Sequence, residues 1–265
     1  VLHGYMVIDL RRTLKGVCIR HPHSESLFGR DNRKERCQRP GTVKNAHVYR
    51  FTPMSSGGQF IEVASANPGD AYLLFGMPWR GGFGRPVSEM PTEDSACFSP
   101  CGAGAFYRAD VFAELGGFDE RFFCYCEDVD IGFRFRLLGH SCVFLPNVRI
   151  DHWGGKLSEK VSEFAVYHGT RNRIWTYVKN MPLWLLILTL PMHVALTLYV
   201  LGHSAFLGRF KATLRGLMDG IAGCGDMRSS RPPLSGSLKG LLFSMAWNPW
   251  KMHGRHVHVR RLKPN

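Results

Sequence analysis

The chain has 265 residues, 45% of them hydrophobic and 21% charged, enough apolar material for one α/β domain of ordinary size plus a smaller element. Its formal charge of +13 is uneven: residues 1–60 carry 11 Lys/Arg against 4 Asp/Glu, residues 61–208 carry 12 against 15, and residues 209–265 carry 11 against 2. Basic ends around a mildly acidic middle, with no recognised nucleic-acid motif, argue against a nucleic-acid-binding domain; a basic segment beside an apolar one favours an anionic membrane surface.

Taken in chain order, Val1 to Leu10 lacks the charged start, long apolar run and small-residue cleavage site of a signal peptide, and the absence of Met at position 1 points to a fragment. Residues 9–60 are rich in Arg, His, Ser and Pro without a sustained period and read as irregular. Order is expected from Phe60-Ile61-Glu62-Val63. The Gly/Pro-rich stretch Met77 to Pro86 should be a loop, neither regular helix nor central strand. Ala103 to Tyr107 suits a short buried strand, followed by a helix from Arg108-Ala109-Asp110 through Leu115 that Gly116-Gly117 terminates.

A second helix runs from Glu127 or Asp128 to Leu138, with Val129, Phe133 and Leu137 as its apolar face and Gly139 as its stop. Ser141 to Leu145 is a strand ended by Pro146-Asn147, and Val148 to Ile150 continues extended to Asp151-His152. Strand, helix, helix, strand is α/β order. A third helix spans Ser162 to Lys179, carrying His168, Arg171, Asn172 and Arg173, and ends before Pro182.

Segment 183–201, LWLLILTLPMHVALTLYVL, contains no Asp, Glu, Lys or Arg and is close to the roughly 20 residues a bilayer-spanning helix needs. Pro191 and His193 weaken a simple spanning reading, so the segment is either membrane-associated or a buried helix of the soluble domain. After a linker at 228–233, Leu238 to Trp250 reads as an interfacial helix or docked segment, and the His- and Arg-rich residues 251–261 as a solvated tail. The organisation is therefore an irregular basic segment at 1–60, an α/β part at 61–182, a hydrophobic helix at 183–208 and a basic tail at 209–265. Eight cysteines without paired Cys-x-x-Cys spacing indicate neither a zinc site nor a disulfide framework, and Cys97, Cys101, Cys124 and Cys126 read as reduced thiols on the cytosolic side.

The chemistry concentrates between Gly116 and Asp130: a glycine turn, an aromatic cluster and a set of carboxylates ahead of a helix. Glu127, Asp128 and Asp130 sit where the helix dipole and free N–H groups favour negative charge, and adjacent Glu127 and Asp128 point about 100° apart, so they do different jobs. Such acids are often ordinary helix-start residues. The aromatics Phe122, Phe123 and Tyr125, the small-residue loop 102–104 and His152 after the next strand suggest a pocket that shields them from solvent, with His152 either structural or a metal ligand.

The run Cys101-Gly102-Ala103-Gly104-Ala105-Phe106-Tyr107-Arg108, then GGFDERFF, the EDVD tetrad, a Gly-terminated helix, Val143-Phe144-Leu145-Pro146 and His152 together resemble the acceptor half of a family 2 glycosyltransferase of GT-A fold. Arg171-Asn172-Arg173 and Lys179-Asn180-Met181-Pro182 resemble bacterial members that build surface polysaccharides, of rhamnosyltransferase-like type. The resemblance covers about residues 61–208 and implies a partial, Rossmann-like GT-A domain followed by a membrane-associated helix. It implies inverting transfer of a hexosyl or deoxyhexosyl group from a nucleotide-sugar donor to a glycan or lipid-linked acceptor, on the cytoplasmic side of a membrane and without nucleic acid.

By the same resemblance Asp128 is the general base with Glu127 beside it. A divalent cation, Mg²⁺ or Mn²⁺, neutralises the departing diphosphate, with His152 as a ligand. Gly102, Ala103 and Gly104 line the donor–acceptor pocket, and Arg171 or Arg173 meets the diphosphate or faces solvent. The family's donor-side Asp-x-Asp has no counterpart in residues 1–100, and Asp128-Val129-Asp130 belongs to the acceptor-side motif. The alternative is a non-catalytic, membrane-anchored remnant or interaction module of polysaccharide assembly.

Overall fold

A computed structural model describes residues 68–146 and 162–262, together with the short strands β1 (Met6–Ile8), β2 (Ser55–Ser56), β3 (Gln59–Phe60) and β4 (Val63–Ser65). The later strands are β5 (Asp70–Leu73), β6 (Met77–Arg80), β7 (Ser95–Cys97), β8 (Ala105–Arg108), β9 (Cys142–Phe144) and β10 (Arg260–Arg261). The helices are α1 (Ala109–Glu114), α2 (Glu127–Leu137), α3 (Glu163–Asn180), α4 (Leu183–Phe206), α5 (Phe210–Ala222), α6 (Cys224–Ser229), α7 (Leu238–Ser244) and α8 (Trp250–His253).

Six strands form a mixed sheet in the order β1-β8-β4-β9-β7-β10. The pairs β1/β8 and β4/β9 are parallel, while β8/β4, β9/β7 and β7/β10 are antiparallel. The expected α/β character is present, and α2 and α3 begin and end close to their sequence-read limits. Ser162 caps α3 by accepting from the Ala165 N–H at 3.2 Å, and the helix stops before Pro182.

Three expectations are corrected. The strand read at 103–107 begins at Ala105, because Gly102–Gly104 closes a 3-10 turn first. Met77–Arg80 is not wholly loop: it pairs with β5 as a two-stranded hairpin, and Pro78, which has no N–H to donate, is tolerated because each strand of a two-stranded sheet is an edge. Residues 251–261 are not a solvated tail, and 238–250 is the docked segment of the two alternatives read for it. Arg260 and Arg261 pair with Ala96 and Ser95 of β7, the Ala246 N–H donates to Tyr72 O at 2.8 Å, and Trp79 Nε1 donates to His256 O at 3.0 Å.

Helix α2 is buried on two sides, which its expected single apolar face did not capture. Val129, Phe133 and Leu137 enter a core with Tyr72, Phe98, Tyr177 and Met181, while Ile131 and Phe135 enter a second core with Tyr107, Cys142 and Phe144 of the sheet. A helix wedged between sheet and helical layers buries more than one face, and on α2 the charged residues between the two apolar faces are buried as well, Asp130 and Arg134 by pairing with each other, so periodicity alone understates its burial. Close approach is made possible at Gly132, where an added Cβ would lie 2.2 Å from Ser99 Oγ.

Candidate active site

The loop before α2 is held in an unusual shape. Phe123, Tyr125 and Cys126 all take positive φ, at 60°, 69° and 65°, a conformation that costs a non-glycine residue roughly 1–2 kcal/mol. Compensation comes from α3. Asn172 Nδ2 lies within hydrogen-bonding distance of the Phe122, Cys124 and Tyr125 carbonyls, at 2.8, 2.7 and 2.7 Å. Arg171 Nη2 donates to the Arg121 and Phe122 carbonyls. The strained loop therefore delivers the start of α2 to a fixed place.

At that start, Asp128 Oδ2 accepts the Gly102 N–H at 2.7 Å and Oδ1 accepts its neighbour's, that of Val129, at 2.8 Å. Ser99 Oγ donates to the Asp128 carbonyl at 2.7 Å, tying α2 to the segment after β7. A Cβ at Gly102 would lie 3.3 Å from Asp128 Oδ2, so a side chain there would press on the carboxylate. Within the Gly102–Gly104 turn it is the Gly102 backbone that meets Asp128.

Asp70 and Cys101 complete the cluster. One ligand atom from each of Asp70, Cys101 and Asp128 lies within 4.8 Å of the others, and all three residues are buried. Asp70 is clamped by reciprocal backbone bonds with Ser99, at 2.8 and 3.2 Å. Burial, and then the adjacent Asp128, push the Asp70 carboxyl well above the usual carboxylate range. Burial, followed by Asp128, likewise raises Glu127 to about 8, and its Oε2 has no hydrogen-bond partner among the described residues.

The cation facing this group is Arg80, whose Nε lies 3.9 Å from Asp70 Oδ1. Burial opposes its charge, and Cys101, Asp70, Asp128 and Glu127 outweigh that cost.

The other sequence-read residues have distinct places. Arg171 spreads over the Trp175 ring, its carbon 4.2 Å from the centroid, and braces the loop as described. Arg173 is buried rather than solvent-facing, and its Nη2 donates to Thr197 of α4 at 3.2 Å. Among the described residues, neither has a hydrogen bond to Asp128 or Glu127. Phe122 lies in the interior, but Phe123 is 75% exposed and stands beside Phe164 and His168 as an aromatic ridge, so it does not wall off solvent. His152 lies outside the described residues.

Sequence reasoning did not find Asp70, Arg80, the bracing role of Asn172 or Cys101 as part of a ligand set. Asp70 follows Asn67-Pro68-Gly69 and looks like a turn residue. Only the fold carries it to Asp128.

Residues 86–185 match the sequence model of the family described as "Glycosyltransferase like family 2". The N-acetylglucosaminyl-diphospho-decaprenol L-rhamnosyltransferases of Mycobacterium tuberculosis strains CDC 1551 / Oshkosh and ATCC 25618 / H37Rv are each 41% identical to the chain over 93 residues. That stretch is 34% of this chain and 30% of each relative, so the chain spans under a third of the length of the curated relatives it matches. No solved structure matches the chain. Over residues 86–185 the chain is similar to family 2 glycosyltransferases, and a stretch of 93 residues is similar to these rhamnosyltransferases.

Proposed function

We propose that this chain carries the acceptor side of an inverting glycosyltransferase, with Asp128 as general base. The observation that supports this most is the fixation of the Asp128 carboxylate by two backbone N–H groups within a buried acidic cluster. Asp128 takes the proton of an acceptor hydroxyl as its oxygen bonds to the anomeric carbon, and the bond to the donor's diphosphate oxygen breaks. Nucleoside diphosphate leaves. Glu127 contacts the acceptor through the carboxyl oxygen that has no hydrogen-bond partner among the described residues.

Asp70 and Cys101 offer a carboxylate and a thiol with ligand atoms within 4.8 Å of each other and of Asp128, a set that fits a divalent cation completing its shell with donor phosphates and water. Asp70 and Cys101 would hold it, with Asp128 kept free as the base, and the thiol shifts preference from Mg²⁺ towards softer ions. A bound cation would supply charge neutralisation for the leaving diphosphate.

The curated relatives are named for L-rhamnose transfer to a decaprenol-linked acceptor. An acceptor of that class, the apolar helix α4 and the basic segment after it support work at the cytoplasmic face of a membrane.

The test is transfer from a nucleoside-diphosphate rhamnose to N-acetylglucosaminyl-diphospho-polyprenol, with Mn²⁺ present. Asp128→Asn should lower turnover roughly 10²–10⁴-fold with circular dichroism unchanged, although its amide can accept only one of the two backbone N–H groups and so lowers thermal stability modestly. Wild-type turnover in that variant overturns the base assignment. Wild-type protein with neither turnover nor saturable nucleotide-sugar binding supports the non-catalytic reading.

A further inference from the structure

α4 has the length and composition of a bilayer span: its 24 apolar-rich residues extend about 36 Å, against a hydrocarbon core of about 30 Å. The chain on both sides of it nevertheless belongs to one folded body. Before α4, residues 70–181 contribute β5 to β9 and α1 to α3. After it, the Ala246 N–H bonds to Tyr72 O at 2.8 Å, the Gly82 N–H bonds to Arg255 O at 2.8 Å, and β10 pairs with β7. A single crossing would put these partners on opposite faces of a membrane.

No later helix could bring the chain back. α5 has 13 residues, about 20 Å, and carries Lys211, Arg215 and Asp219. It packs directly on α3, with Trp175 Nε1 donating to Gly220 O at 3.0 Å and Tyr167 Oη to Asp219 Oδ2 at 2.6 Å. α6, α7 and α8 are shorter still.

The faces of α4 agree with this topology. Leu185, Thr189, His193 and Thr197, spaced four apart, turn inward and are mostly polar. Thr189 Oγ1 meets Tyr177 Oη at 2.8 Å, His193 Nδ1 meets Phe75 O at 2.8 Å, and Thr197 accepts from Arg173. The exposed side holds Leu183, Trp184, Ile187, Leu188, Val194 and Leu198. At 100° per residue these apolar positions, with Tyr199, cover about 160° of the circumference, wider than the narrow seam of a paired helix. It is an amphipathic helix with its polar stripe turned to the protein.

We propose that α4 lies in the plane of an anionic bilayer, its outer face sunk among the lipid chains, seating the catalytic body on one leaflet without crossing it. Lipid is favoured as the occupant by the breadth of the face and by exposed Lys211 and Arg215 on the adjoining helix. This rests on the membrane placement proposed above and decides how that placement is made.

The full chain with an epitope at each end is expressed in a bacterium, and membranes are prepared as vesicles of both orientations, then treated with protease from outside. Both epitopes should be cleaved in one orientation and both protected in the other. Ends that lie on opposite sides overturn the in-plane placement while leaving membrane association standing. Recovery of the chain in the soluble fraction overturns both, and a dimer there by light scattering identifies a second copy as the occupant. Ile187 and Leu188 are 62% and 68% exposed, so Ile187→Asp with Leu188→Asp should leave circular dichroism unchanged and lower the membrane-bound to soluble ratio about tenfold or more. Undiminished binding by that folded variant overturns α4 as the lipid contact.

Discussion

One turn of α2 holds two carboxylates in opposite circumstances. Asp130 is enclosed by cations and amides: Arg134 Nε at 2.9 Å and Lys179 Nζ at 3.0 Å meet Oδ2, and Asn180 Nδ2 meets Oδ1 at 2.7 Å. Asp128, two residues earlier, accepts two backbone N–H groups and has no cation bonded to it among the described residues, with two further acids beside it, Asp70 and Glu127. The first arrangement leaves nothing for a ligand to satisfy, whereas the second leaves hydrogen-bonding capacity and a strained electrostatic balance. Identical side chains at the same helix end thus divide into one that holds the fold and one suited to chemistry.

Substitutions can break that contrast. Asp130→Ala should cost the most stability, about 3–5 kcal/mol by urea unfolding, because it strands buried Lys179 and Arg134. Asp128→Asn should reverse the pattern, removing turnover with a much smaller fall in the urea midpoint, that of one backbone N–H losing its acceptor. If the two variants behave alike, the division is mistaken.

Asn172→Ala should fall between them, at about 1–3 kcal/mol, since it frees the carbonyls that hold the left-handed loop. Faster amide exchange confined to residues 122–126 and their contacts is the expected signature. Unaltered exchange there would detach Asn172 from the loop's shape.

The smallest effect is expected at Asp119, which accepts from Arg121 and from Lys179 Nζ at 2.7 Å. Burial alone would raise its pKa, but hydrogen bonds from Arg121 and Lys179 and their charges hold it well below the usual carboxylate range. A depressed folded pKa gives stability that is present above the unfolded value near 3.8 and is lost as pH falls below it. The site is partly open to solvent, so Asp119→Asn should cost only about 1 kcal/mol at pH 7, and the difference from wild type should shrink towards zero as pH drops below 3. A difference that does not change with pH would show that the charge on Asp119 is not what matters.

Local chemistry made much of this legible. Gly139 and the acids at 127–130 marked the limits of α2, Ser162 and Pro182 marked those of α3, and the motif series from Cys101 to Asp128 identified the segment that the family match later covered. What remained hidden depends on distant pairings. Asp70 reaches Asp128 only through its backbone bonds to Ser99, and Arg260-Arg261 has no strand-like composition until β7 presents an open edge. Arg173 looked like any helix arginine because nothing in its own helix shows that α4 folds back over it.

The edge pairing of β10 also sets an order of events at the ribosome. Ala96 and Arg260 are register partners, so the sheet around the site cannot be completed until residue 260 has been synthesised. α4 is made well before that, with its oily side available and its docking surface already translated. For this chain, exposing the apolar side of α4 and finishing the fold are therefore separate steps in time, and the first precedes the second.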